Sequence, residues 1–227
     1  MTNQESSLKR MKTLPATDLR SNVGTWSVAD WQLPALTKQM LEILQPERYD
    51  PSFAGQYLET TYFDTRDFAL RKARVKGKKY ITIRIRCYSP TRAATRRYSE
   101  PIYAISAKTE SKKVRNQIDT DIAEALLGMT GVEATHLSGL LPADVIARIV
   151  EISHSEPLVP VVTLCFHRFA IEDDRHRLTL DVDIHSDTGR RYPCHVLEQK
   201  STSHEAAPLI SLPLRPIKLS KFLWSTS

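Results

Sequence analysis

Arg84 and Arg86 stand two residues apart in the octapeptide KYITIRIR, residues 79–86, whose side chains alternate without a break. Thr82 joins the arginines on one face of a strand, and Ile81, Ile83 and Ile85 take the other. Residues so spaced lie roughly 6.6 Å apart, so the two guanidinium forks form a short rail of donors suited to phosphate or carboxylate oxygens. An exposed basic strand face gives the same pattern, and the octapeptide alone does not separate the two. Other segments alternate in the same way. Ala104, Ser106 and Lys108 oppose Tyr103, Ile105 and Ala107. Arg175, Arg177, Thr179, Asp181 and Asp183 oppose Leu178, Leu180, Val182 and Ile184, while Glu198 and Lys200 oppose Leu197 and Gln199.

The elements that must position these residues follow from the intervening sequence. Leu33, Leu36, Met40, Ile43 and Leu44 recur at helical spacing behind Asp30 as a cap, with Pro34 in the first turn where a missing N–H costs nothing. Residues 57–63 read as a strand ending in Asp64, Thr65, Arg66 and Asp67. The cation-dense run over 70–79 then reads as a solvated hairpin tip around Gly77, and 89–99 as a long exposed loop. Lys112, Lys113 and Arg115 extend the positive charge before two amphipathic helices, over 119–129 and 142–153. Residues 1–22 lack periodicity and read as a flexible leader, leaving 23–227 as one domain. Polar faces on at least four strands fit a half-exposed antiparallel sheet. They fit equally a closed barrel with a charged lumen and apolar outer faces under helices.

Composition narrows the function classes. The chain has 227 residues, 41% hydrophobic and 26% charged, which is ordinary for a globular protein with a buried core. A net charge of +6 favours an anionic partner. Three scattered cysteines, Cys87, Cys165 and Cys194, predict a reduced protein, and no apolar run is long enough for a membrane span or a signal peptide, so a cytoplasmic location is expected. Cys165, His167, Cys194 and His195 lack paired C-x-x-C spacing for zinc. Nucleic acid is disfavoured because no stacking platform accompanies the basic residues, and neither a Gly-rich phosphate loop nor a nucleophile elbow occurs.

Taken in chain order, the motifs resemble a known family. Tyr62 to Leu70, YFDTRDFAL, precedes a basic run and the Ile83-Arg84-Ile85-Arg86 strand. Lys108 follows, then Arg168 and Ala170 before Arg177-Leu178-Thr179-Leu180-Asp181. Val196-Leu197-Glu198-Gln199-Lys200 and Ser220-Lys221-Phe222 complete the series. This order is similar to that of the vacuolar transporter chaperone (VTC) polyphosphate polymerase domain, within the CYTH and triphosphate tunnel superfamily. The resemblance implies an α+β fold whose centre is a closed eight-stranded antiparallel barrel with a charged lumen and flanking helices. It also implies a polyphosphate polymerase or related triphosphatase acting on polyphosphate, tripolyphosphate or a nucleoside triphosphate. Arg84, Arg86, Lys108, Lys200 and Lys221 would then serve catalysis and phosphate binding, with Arg115 and Arg177 as further phosphate ligands. Glu198, Asp181 and Asp183 would hold a divalent manganese or magnesium ion.

The chain also departs from the family's pattern. The family's first strand carries a cluster of glutamate, arginine and lysine, whereas Gly24-Thr25-Trp26-Ser27-Val28 has no charge, and Ser106 stands where a glutamate is usual. Loss of two acidic positions weakens metal coordination more than anion binding. A non-catalytic polyphosphate- or nucleotide-binding module is therefore the alternative expectation.

Overall fold

The structure, a computed structural model, describes residues 21–46, 52–77, 79–89, 101–203, 207–218 and 220–226. The leader before Ser21 and nearly all of the loop expected over 89–99 lie outside them. The alternating segments form antiparallel strands: β1 (Ser21–Val28), β2 (Gln45–Pro46), β3 (Gln56–Asp64), β4 (Ile81–Ser89) and β5 (Ile102–Thr109). After these come β6 (Lys113–Ile118), β7 (Val159–Glu172), β8 (His176–Ser186), β9 (His195–Ser201) and β10 (Arg215–Pro216). Helices are α1 (Leu33–Ile43), α2 (Ala69–Val75), α3 (Thr120–Gly128), α4 (Ala143–Ser153) and α5 (Lys221–Ser225). Strand β1 begins at Ser21, two residues inside the expected leader.

The ten strands form one sheet in the order β10-β1-β9-β8-β7-β3-β4-β5-β6, with β2 on β7. The closed eight-stranded barrel is therefore incorrect: the sheet is open, with β6 and β10 at its ends. The physical reason lies at β1. Its outer edge, which a closing β6 would need, is taken by Pro216 opposite Trp26 and Arg215 opposite Ser27. The Ile217 N–H adds a bond to the Thr25 carbonyl at 2.9 Å. The sheet is nevertheless strongly curled. Strands β5 and β9 are five spacings apart, about 24 Å if flat, yet Lys108 on β5, lowered first by burial and then by Arg74, also lies within the fields of Glu198, which raises it, and Lys200, which lowers it, on β9.

Curling divides the apolar residues into three clusters. On the convex side, Ile81, Ile83, Ile85 and Ile105 pack under Leu70, Leu126, Val145 and Ile149 of α2 to α4. Leu178, Leu180 and Leu197 pack under Leu36 and Met40 of α1. Inside the curl, Tyr62, Val162, Leu164, Phe166, Ile184 and Val196 surround Phe222 and Trp224 of α5. Inward-facing residues are thus apolar around α5 and mostly charged or hydroxyl-bearing elsewhere.

Two local expectations fail for identifiable reasons. The cationic run after Asp67 is helix α2, not a hairpin tip, because the buried Asp64 carboxylate accepts the N–H groups of Thr65, Leu70 and Arg71 at 2.8, 2.9 and 2.9 Å. That is the capping a first helical turn requires, and Gly77 at φ +63° ends the element. Along β8 the strict alternation breaks between Cys165 and His167 of its partner. Asp183 adopts φ 55° at this bulge, so Ile184 joins the inner cluster that contains Phe222.

Candidate functional site: a cationic trough inside the curled sheet

Cross-strand register brings the charged faces to the concave side. Arg84 lies opposite Ser106, which lies opposite Arg115; Thr82, Lys108 and Lys113 form the neighbouring row. On the other wall Arg168 pairs with Asp181, Thr179 with Glu198, and Arg177 with Lys200. The expected residues Arg84, Arg86, Lys108, Arg115, Arg177, Asp181, Glu198, Lys200 and Lys221 therefore share one trough. Asp183 does not, because the bulge leaves it exposed.

The first wall is held by neutral partners and rings. Arg84 donates to Ser106 Oγ at 3.3 Å and to the Tyr62 hydroxyl at 3.4 Å. Arg86, only 7% exposed, donates to Thr60 Oγ1 at 2.9 Å and lies 5.6 Å from the Phe166 ring centre. Burial, and then repulsion by Arg84, push its guanidinium down to about 10. Arg115 sits 5.0 Å from the Tyr88 ring centre, and its buried Nε has no hydrogen-bond partner among the described residues. Such a donor requires an acceptor.

The second wall carries the carboxylates. Asp181 accepts two bonds from Arg168, at 2.6 and 2.7 Å, and one from Lys221. Against the cost of burial, these two cations hold it far below the usual aspartate range. Glu198 is held low in the same way, against burial, by Lys200, Arg168 and Lys221. Lys200 lies 3.9 Å from it, and Arg177 lies 3.9 Å from Glu172.

The sequence reading gives no role to three cations of this site, although Arg168 stands within one of its motifs and Arg74 and Lys113 within its basic runs. Arg168 anchors Asp181, and Arg74 of α2 reaches Thr82 Oγ1 at 2.7 Å. Lys113 faces the trough beside Lys108, and enclosure followed by Arg84, Lys200, Arg86 and Arg115 pushes its ammonium down to about 6. Water reaches its exposed side chain and moderates that shift. The signal for Lys113 is its two-residue spacing from Arg115, which reads as a strand once β6 is recognised.

A divalent metal does not fit the donor set by itself. Asp181 is saturated by Arg168 and Lys221, Asp183 is outside, and Glu198 stands among cations. Among the described residues no group of three or more histidine, cysteine, aspartate or glutamate side chains could hold an ion.

Comparison with known proteins agrees with this architecture. No curated protein matches the chain. Among solved structures, a candidate adenylate cyclase of Bacillus halodurans is 21% identical, with a TM-score of 0.48 over 80% of each chain. The PH1819 protein of Pyrococcus horikoshii is 12% identical, with a TM-score of 0.47 over 78% of this chain and 75% of its own. The Hippeastrum protein HpAC1, a candidate adenylyl cyclase described as having a dominant triphosphatase activity, is 10% identical. Its TM-score of 0.50, over 81% of this chain and 80% of that one, is a likeness of fold. The VTC domain model matches residues 25–213, most of the chain and nearly all of the curled sheet, and the chain belongs to the VTC domain family.

Proposed function

We propose that the trough binds the phosphates of a polyphosphate, a tripolyphosphate or a nucleoside triphosphate. The observation that carries this reading is convergence of cations from both walls without matching carboxylates: register sets Arg84, Arg115, Lys108 and Lys113 on one concave face and Arg177 and Lys200 on the facing one. A polyanion entering there relieves their mutual repulsion and supplies an acceptor for Arg115 Nε. Hydroxyls of Ser106, Thr60 and Tyr62 hold Arg84 and Arg86 without neutralising them, so the arginines keep their charge for the ligand.

A second reading, phosphoryl transfer of the polymerase or triphosphatase type, is favoured by Glu198, the one inward carboxylate without a direct arginine partner among the described residues. Cations around the phosphates would stabilise charge developing on the transferred and leaving groups. A divalent ion would have to arrive with the phosphates, since the chain does not assemble its ligands.

The test is calorimetric titration with tripolyphosphate, followed by incubation with ATP or tripolyphosphate and manganese while phosphate release and chain growth are measured. Micromolar binding that falls roughly 10-fold or more in Arg84→Ala is expected, from the ~1.5–3 kcal/mol of a charge-assisted hydrogen bond. Absence of binding overturns the proposal. Binding without turnover rejects the second reading alone.

A further inference from the structure

Two adjacent lysines at the β5–β6 turn have opposite surroundings. Thr109 ties the turn: its Oγ1 accepts the N–H groups of Ser111 and Lys112 at 3.3 and 3.0 Å, and its own N–H bonds the Lys112 carbonyl at 2.8 Å. On the convex side Lys112 binds Asp144 of α4, and Arg148 of the same helix holds Glu110 at 3.4 Å. Alternation then turns Lys113 to the concave side, where it lies opposite Lys108 and two residues from Arg115. One lysine pins the turn to α4, and the next is aimed into the trough.

The charges that weigh most on Lys113 are all positive: Arg84 and Arg86 on β4, Arg115 on its own strand and Lys200 on β9. The other trough lysines have carboxylate support. Lys200 lies 3.9 Å from Glu198, Lys221 binds Asp181, and Lys108 is raised by Glu198 against the pull of Arg74. Lys113 is nonetheless exposed to water at the hairpin end of the trough. An accessible amine crowded by cations keeps its lone pair near neutral pH, as a nucleophilic lysine must. Donors for a phosphate lie beside it. Arg115 Nε has no hydrogen-bond partner among the described residues, and Arg84 is held by the neutral hydroxyls of Ser106 and Tyr62.

We propose that Lys113 is a modification site: small acyl phosphates dock by their phosphate on Arg84 and Arg115 and transfer their acyl group to the Lys113 amine. This rests on the polyanion reading above and adds a reagent that the same cations recognise and the residue that it alters. The Nζ lone pair attacks the acyl carbonyl carbon. The bond from that carbon to the phosphate oxygen breaks, its electron pair leaves with inorganic phosphate, and the amine proton passes to water. The amide that remains carries no charge, so the trough loses a cation and holds a polyphosphate less tightly.

Acetyl phosphate is the probe. Full-length protein is incubated with it near neutral pH, and acetylation of each lysine is timed by peptide mass spectrometry, with Lys112 and the exposed Lys38 of α1 as references. Lys113 should react at least about 10-fold faster than either, because an ordinary lysine with a pKa near 10.4 is almost wholly protonated there. An uncharged active ester of acetate, run in parallel, separates recognition from reactivity, since the ratio of the two rates cancels the fraction of neutral amine. Arg84→Ala and Arg115→Ala should each lower that ratio by roughly 3-fold or more. Saturating tripolyphosphate should protect Lys113 of the wild-type protein from acetyl phosphate, a measurement that needs no variant to fold. Lys113 no faster than its references, a ratio unchanged in both variants, or no protection each overturns the modification site. Failure of tripolyphosphate to bind overturns the polyanion reading with it, whereas tight binding with Lys113 unlabelled removes the modification site alone.

Discussion

Lys113 and Asp181 respond to the same field in opposite ways. Lys113 loses proton affinity in the folded trough, to about 6, so between that value and the unfolded lysine pKa near 10.4 the unfolded chain binds more protons at this site. Stability must then rise with pH across that interval. Lys113→Gln should raise Tm, by an amount that grows as pH falls towards 6 and is constant below it, while weakening tripolyphosphate binding. Thermal melts from pH 5 to 9 check this, and a variant no more stable than wild type at pH 5 counts against the crowding. Asp181 is held low by Arg168 and Lys221, so its contribution is present above the unfolded aspartate pKa near 3.9 and is lost as pH falls below it. Asp181→Asn leaves two buried cations without their carboxylate and should cost about 3 kcal/mol at neutral pH. The gap from wild type should narrow below about pH 4. Urea unfolding at both pH values reads this difference.

At the scale of elements, period-two alternation was enough to identify β4, β5, β8 and β9 and to separate their polar from their apolar faces, but which face turns inward came from the family resemblance. Two features were hidden from it. Asp64 sits in a recognisable motif, yet its work is to hold the first turn of α2, which no local pattern of charges in a cationic run reveals. Asp183 follows the alternation on paper, and only the bulge against β7 turns it away from Glu198. The Asp64 assignment makes its own prediction. Asp64→Ala should destabilise the protein by about 2 kcal/mol through unsatisfied N–H groups, seen as a lower urea midpoint with an unchanged slope. Tripolyphosphate affinity should hold, since the carboxylate faces backbone amides rather than the trough; a lost affinity in the folded variant would place Asp64 in the site.

At the scale of the molecule, closure was the feature that sequence could not supply. Strand alternation carries no information on whether β6 meets β1, and that was decided by Arg215 and Pro216, two residues with no strand pattern of their own. Curl is nevertheless what matters for function, because it brings Lys108 and Lys113 on one flank within electrostatic reach of Lys200 on the other. The folded chain therefore holds like charges together that the unfolded chain disperses, and a ligand that neutralises them binds only the folded form. At a hundredfold excess over its dissociation constant, such a ligand stabilises by about 2.7 kcal/mol, roughly 5–10 °C in Tm for a domain of this size. Tripolyphosphate should give this shift, and sulfate at equal ionic strength a much smaller one. Added sodium chloride should reduce the tripolyphosphate shift, as screening weakens a multivalent contact. Equal shifts with sulfate and tripolyphosphate would mean that the trough senses ionic strength rather than a polyanion, and the variants Arg84→Ala and Lys113→Gln would then leave the shift unchanged.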